Sequence, residues 1–209
     1  MFIRQLVAIV TNFSSGHIPT KDALFALTEK CGGGVVPWLV ELALKRGPVL
    51  GVKLHDEVLR CLAGLMQHTP TASYVFKSSL ASMLVDELAE LTERRVVQGL
   101  KASLAFIALA SFTKQGSSSF ASLLVPAHLH ILLKLISPSQ TLSLGEEVQR
   151  LAMHTLRNIS FSQPFKITIL EHGNPVLLPN FRACARNPHY CLNSIDQEDW
   201  CCACFAGCL

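Results

Sequence analysis

The residues best suited to chemistry lie near the end of the sequence, where six of the eight cysteines fall within residues 184–208. Cys201 and Cys204 form a Cys-x-x-Cys pair, and Cys184 and Cys191 precede it. Four thiolates can hold zinc in a tetrahedral site, but the spacing between Cys184 and Cys191 is too long for a second ligand pair. A zinc site, a lipid-modified tail and an unrelated alternative C-terminus all remain open, with these four cysteines as the candidate metal ligands.

Catalytic motifs do not occur in this sequence. It has no Gly-x-Ser-x-Gly, His-Glu-x-x-His or Gly-x-Gly-x-x-Gly motif and no phosphate-binding Gly-Lys-Ser/Thr. The run Gly32-Gly33-Gly34 follows a predicted helix and not a strand, which indicates a helix end and linker. His128 and His130 would point to different sides of a helix, which does not favour a shared metal ion. We therefore predict no catalytic residue and no cofactor, and we do not expect a small-molecule ligand.

Composition excludes several other classes of protein. Half of the residues are apolar and 16% are charged, so most of the chain is predicted to fold. A formal net charge of +3 is too small to indicate nucleic-acid binding. The apolar run 120–136 is interrupted by Pro126 and Lys134, and it is predicted to be one buried helix and not a membrane span. No signal-peptide core follows Arg4, so a cytoplasmic location is predicted.

The elements that must position any site are helices. Apolar residues recur with a helical period through residues 2–182, whereas no long stretch alternates with a period of two, so the fold class is predicted to be all-α. Glycine and proline separate the helical patterns. The clearest helix carries one apolar face formed by Val148, Leu151, Ala152, Leu156 and Ile159.

Four of these helices end in similar residues. When the four helix ends are matched, Asn12, Gly64, Ala108 and Asn158 take the same position, at intervals of 52, 44 and 50 residues. A polar loop, a shorter helical pattern and a small apolar helix follow each of them. A helical period of this length is typical of HEAT and armadillo repeats.

The order of elements in residues 146–178 resembles the armadillo repeat. Val148–Ser160 is similar to its third helix, Phe165–His172 to the first helix of the next repeat, and the residues from Pro175 to its second helix. The resemblance implies a right-handed α-α superhelix over residues 1–182, with about three full units and a partial unit at each end. Residues 183–209 form a separate Cys-rich tail that is not expected to be well ordered. The loosely matching central repeats resemble rotatin-like scaffolds, which implies a cytoplasmic setting at centrosomes, centrioles and the basal bodies of cilia.

This resemblance implies a non-catalytic protein–protein interaction scaffold. In armadillo proteins the third helices line a groove, and an asparagine near the helix end binds the backbone of an extended partner. Asparagine offers a donor and an acceptor, and arginine forks onto carboxylates, so a row rich in arginine implies an acidic or extended segment of another protein as partner. By position, the groove would contain Asn12, Arg60, Arg150, His154, Arg157 and Asn158.

Three other interpretations compete with this one. The same side chains could serve only to cap and solvate helices. The Cys-rich tail could make the chain a metal-binding or redox-sensitive module. Exposed repeat ends could make it a truncated splice form with little independent function.

Overall fold

The structure is a computed structural model that describes residues 2–14, 21–24, 34–45, 51–124, 126–137, 143–160 and 162. Across these ranges the chain is helical and contains no strand, which confirms the predicted all-α class. The predictions for Gly32, Gly33 and the Cys-rich tail lie outside the described residues.

Nine helices of nine or more residues lie within the described ranges. Lys21–Leu24 forms an additional short helical segment. The helices are α1 Phe2–Ser14, α2 Val35–Leu44, α3 Val52–Leu65, α4 Thr69–Lys77, α5 Leu80–Glu93, α6 Val97–Ser111, α7 Lys114–Leu123, α8 Pro126–Leu135 and α9 Glu146–Ile159.

These helices pack in three rows. In the first row α1 packs against α3, α3 against α6, and α6 against α9. The second row contains α2, α5 and α8, and the third contains α4 and α7. Each first-row helix after α1 also packs against the second-row helix that precedes it in the chain. The same order of neighbours therefore recurs every three helices.

The backbone has the same period. Gly51, Arg95 and Gly145 have positive φ angles of 71°, 53° and 89°, and each lies immediately before a first-row helix or one residue earlier. All three stand thirteen residues before a matched position of the sequence repeat. Glycine adopts this left-handed conformation without a steric penalty, whereas Arg95 carries the strain of a Cβ. The sequence alignment of the helix ends is thus reproduced in the turns that begin these helices.

A continuous apolar core joins the rows. Leu59, Leu84, Leu104 and Phe106 are almost completely buried between helices of different rows. In the third row, the rings of Phe76 on α4 and Phe120 on α7 meet edge to face, with centroids 5.4 Å apart and planes at 80°. Aromatic pairs prefer this geometry, so it fixes how α7 lies on α4.

The prediction of one buried helix over residues 120–136 was wrong. Helix α7 ends at Leu123 and α8 begins at Pro126. The two axes are bent by 110°. Proline has no backbone N–H and clashes with a preceding helical turn, so it starts a helix in place of continuing one. Among the described residues no single helix is long and apolar enough to cross a membrane, although the bent pair passes by length and composition.

Candidate protein-binding face

The exposed sides of the four first-row helices lie on one face of the molecule. Arg4 on α1 forms a forked contact with Glu57 on α3, with Nη2 to Oε1 at 2.8 Å and Nε to Oε1 at 3.1 Å. Lys101 on α6 lies 2.5 Å from Glu147 on α9, measured from Nζ to Oε2. These contacts join the exposed sides of α1 and α3 and those of α6 and α9, and α3 packs against α6 between them. We call this surface the row face.

Positive charges converge on Glu147 at the start of α9. The hydrogen bond from Lys101 is the largest cause that lowers the pKa of Glu147, and the charges of Lys101, Arg150 and Arg60 lower it further. Partial burial opposes this effect. Arg60 belongs to α3 and Glu147 to α9, so its charge acts across the intervening helix α6. The row face therefore brings cations from three helices close together.

Five of the six predicted groove residues lie at or near this surface. Asn12, Arg60 and Arg150 are exposed, and His154 and Arg157 are half-buried. Arg60 is paired with Asp56 one turn earlier, at 3.0 Å between Nη2 and Oδ2. Neither Arg150 nor Arg157 forms an ion pair with another residue in the described ranges.

Asn158 is buried and its amide is already hydrogen-bonded, unlike the other predicted groove residues. It is 9% exposed, and its Nδ2 donates to the backbone oxygen of Ala108 at 2.8 Å. Its own backbone oxygen accepts from the hydroxyl of Ser117 at 2.8 Å. The last carbonyl groups of a helix have no backbone partner within the helix, and that of Ala108 near the end of α6 accepts both the Ser111 hydroxyl, at 3.0 Å, and the Asn158 amide. The residue therefore ties α9 to α6 and α7, and a partner could use its amide only by breaking a buried hydrogen bond.

A second contact of this kind occurs two units earlier and was missed by the sequence reasoning. The ammonium of Lys21 donates to the backbone oxygen of Gly64 at 3.0 Å and to Oε1 of Gln67 at 3.2 Å. Lys21 is only 4% exposed, and the end of α3 supplies the partial negative charge that a buried cation requires. Lys21 and Ser117 both follow a first-row helix and donate to the matched position of the next. Polar residues nine positions after the first three matched positions, Lys21, Ser73 and Ser117, were the available signal.

A side chain in the first half of α3 and another in the first half of α9 make a further contact that is the same in both helices. Nε2 of His55 lies 3.0 Å from the backbone oxygen of Ala43, and Nε2 of Gln149 donates to the backbone oxygen of Ile136 at 2.8 Å. Both side chains stand nine residues before a matched position. They satisfy carbonyl groups at the ends of second-row helices, so they fix the spacing between the first and second rows.

One acid–histidine–hydroxyl series lies outside the first row, at the start of α4. Asp22 Oδ1 is 2.8 Å from His68 Nε2, and His68 Nδ1 is 2.9 Å from the hydroxyl of Thr71. This order of groups could activate a nucleophile. Thr71 is only 1% exposed, however, so its hydroxyl is closed to a substrate. The series holds the start of α4 against the segment 21–24.

No group of three or more His, Cys, Asp or Glu side chains in the described ranges is arranged to hold a metal ion. The predicted ligands Cys184, Cys191, Cys201 and Cys204 lie outside those ranges. Nε2 of His128 lies 3.5 Å from Oδ1 of Asp86 on α5, whereas the His130 side chain is exposed. The interactions recorded for these side chains in the described ranges are ion pairs and hydrogen bonds.

Substitution of Lys101 by methionine is expected to raise the pKa of Glu147 back towards its ordinary range, because its strongest partner is removed. In the native chain the lowered pKa stabilises the fold above the unfolded pKa of glutamate, and this stability is lost as the pH falls through the folded pKa. The Glu147 side chain is 50% exposed, so its contribution is below about 1 kcal/mol. A carboxyl-detected NMR titration measures the shift, with Arg94→Met as a control on α5. An unchanged Glu147 titration would contradict the contact.

No protein-family model, no curated protein and no solved structure matches this chain.

Proposed function

We propose that this chain is part of an armadillo-like α-α superhelix and acts as a non-catalytic scaffold for another protein. The support comes from the three rows of helices and from contacts that recur at matched positions. A solenoid stacks equivalent helices so that each unit contacts its neighbours. The tie from Asn158 to Ala108 joins two matched positions directly, as stacking requires.

The row face is the proposed binding surface, and its partner is an extended acidic segment. One observation carries this assignment: α3, α6 and α9 pack in succession and carry Arg60, Lys101 and Arg150, and Lys101 joins α6 to α9 through its contact of 2.5 Å with Glu147. Charges brought together in this way attract an acidic segment that runs across the helices, and arginine side chains can bind its carboxylates in a forked geometry. Arg150 has no ion-pair partner among the described residues, so it is available without breaking one.

The proposed setting follows from the resemblance to rotatin-like scaffolds. We place the chain in the cytoplasm, at the centrosome or the basal body of the cilium, as a component of centriole assembly. A tagged chain that shows no enrichment at centrioles in ciliated cells would remove this setting, but it would leave the binding face untouched.

The binding face is tested with a fluorescent nonapeptide that contains four glutamates and with a second nonapeptide that contains lysines in their place. We expect fluorescence anisotropy to show binding of the acidic peptide only, with an affinity that falls as the salt concentration rises. Replacement of Arg60 and Arg150 together by glutamate should weaken binding by about tenfold or more. Affinities are compared only between variants whose melting temperatures equal that of the native chain.

Arg94→Glu is the control, and its effect is compared with that of Arg150→Glu alone, which changes the net charge by the same amount. Arg94 is 70% exposed on α5 and pairs with Glu90, outside the row face, so its reversal changes the net charge of the chain without changing the proposed site. Equal weakening by Arg94→Glu would show that only overall charge matters. Unchanged affinity in the Arg60 and Arg150 variant would overturn the assignment of the row face.

A further inference from the structure

The row face is not uniformly charged. Its ion pairs do not extend to the end of α6, where Leu109 and Phe112 are 53% and 76% exposed. The two side chains are three residues apart, which places them on the same side of the helix. Lys101 and Leu109 are eight residues apart and share that side, so the apolar pair continues the row face beyond the charged residues.

Arginine lies beside this apolar end. Ala108 precedes Leu109, and its backbone oxygen receives the Asn158 amide, which brings the end of α9 next to the end of α6. Arg157 precedes Asn158, and Arg150 lies two helical turns earlier on α9. The surface therefore presents two arginines along α9 with an exposed leucine and phenylalanine alongside. It fits a short segment with several carboxylates and an adjacent large aromatic side chain.

The chain carries such a segment in its own sequence. Residues 195–200 read Ile-Asp-Gln-Glu-Asp-Trp, with carboxylates at 196, 198 and 199 followed directly by Trp200. Three acids within four positions form the densest acidic cluster in the sequence, and the chain has only one other tryptophan, Trp38. Trp38 is packed against the core in α2, which leaves Trp200 as the candidate anchor.

We propose that residues 195–200 bind the row face of the same chain, with their carboxylates on Arg150 and Arg157 and the Trp200 indole on Leu109 and Phe112. This occupancy excludes an external acidic partner, so the chain carries its own competitor. The proposal rests on the proposed function, because it names an occupant of the same face. Aromatic stacking and cation–π contact with arginine supply a specificity that charge alone does not.

The length of the connection allows this contact. From Ser162, just beyond α9, to Ile195 there are 33 residues, which can span at most about 110 Å. Helix α9 has 14 residues and is about 21 Å long, so every part of its surface is within reach. A tethered segment acts at an effective concentration of the order of millimolar, which is enough to compete with a free peptide.

A fluorescent peptide of residues 193–200 tests the proposal against three full-length proteins. These are the native chain, a tail variant with Asp196→Asn, Glu198→Gln, Asp199→Asn and Trp200→Ala, and the tail variant with Arg150→Glu and Arg157→Glu added. We expect the tail variant to bind the peptide at least about tenfold more tightly than the native chain, because its own segment no longer competes. The added arginine reversals should abolish this binding, whereas Arg94→Glu in their place should not.

The outcomes separate this inference from the proposed function. Equal peptide affinity in the native chain and the tail variant overturns the inference, as does failure of the tail variant to bind the peptide. The proposed function survives either result if the glutamate nonapeptide still depends on Arg60 and Arg150, and it fails too if that dependence is absent. A native dimer in sedimentation that is lost in the tail variant would place the segment on a second copy and overturn the intramolecular assignment.

Discussion

Replacement of Gly116 by alanine is expected to lower the free energy of unfolding by roughly 3 kcal/mol or more, and to prevent folding if the native stability is modest. A Cβ at this position would lie 1.8 Å from the backbone oxygen of Ala110 and 2.7 Å from its carbonyl carbon. Both atoms belong to the backbone of α6, so no side-chain rotation can relieve the overlap. Helix α7 would have to move away from α6.

Movement of α7 would disturb two further contacts. Phe120 would lose its edge-to-face position against Phe76, and Ser117 would lose its hydrogen bond to the backbone oxygen of Asn158. The backbone N–H of Gly116 also donates to the Thr113 hydroxyl, which caps the start of α7. The loss should therefore be cooperative, and urea unfolding monitored by circular dichroism would measure it.

Gly51→Ala is the control for this substitution. A Cβ at Gly51 would meet nothing within 4 Å, but the φ of +71° is unfavourable for alanine. Its expected cost is about 1–2 kcal/mol and is purely conformational. A Gly116→Ala protein that is as stable as the native chain, or less affected than Gly51→Ala, would show that α7 does not approach α6 as closely as described.

Replacement of Asn158 by aspartate is expected to cost about 3 kcal/mol at pH 7, because it places a carboxylate against the backbone oxygen of Ala108 in a buried position. Asn158→Leu removes the donor without adding a charge, and its expected cost is about 1–2 kcal/mol. Thermal unfolding of both variants beside the native chain would measure the difference.

The aspartate variant should also acquire a specific pH dependence. Burial next to a carbonyl oxygen raises the folded pKa of the new carboxyl group above its unfolded value of about 3.9. The folded state then binds the proton more tightly than the unfolded state. The loss in the free energy of unfolding relative to the native chain is therefore at its full value above the folded pKa. It shrinks as the pH falls through that value, because the protonated carboxyl group can donate to Ala108. The leucine variant should show no such recovery.

These two Asn158 variants also distinguish a structural tie from a groove contact. A structural tie predicts lower stability with unchanged affinity for acidic peptides wherever the variant remains folded. Native stability with weakened peptide binding would contradict the tie and restore the role that the sequence predicted for Asn158.

Residues Asn12 and Asn158 show how far sequence reasoning could go. Both end a first-row helix, and both were expected to face a groove. Asn12 is exposed on α1, whereas Asn158 is buried against Ala108. The difference depends on the neighbouring helix, since the backbone oxygen of Ala108 near the end of α6 accepts the Asn158 amide in addition to the Ser111 hydroxyl. No property of the segment around Asn158 reveals this.

Lys21 gives a second example. A lysine in a polar stretch is normally solvent-exposed, and its sequence neighbours give no reason to predict burial. Its ammonium is instead enclosed at the end of α3, where the carbonyl of Gly64 and the amide oxygen of Gln67 receive it. Its partners are more than forty residues away in the sequence, so only packing of the two units could create this site.

The sequence by itself determined the helical class and indicated breaks between helices at glycine, although it did not reveal the break at Pro126. The properties that it determined are local, because apolar periodicity and backbone freedom at Gly51 and Gly145 act within one or two helical turns. The tertiary structure alone decided which polar groups remain available to a partner. A buried carbonyl group needs a hydrogen-bond donor, which a neighbouring element supplies. Asn158 and Lys21 are such donors and are buried, whereas Arg150 lies on the surface.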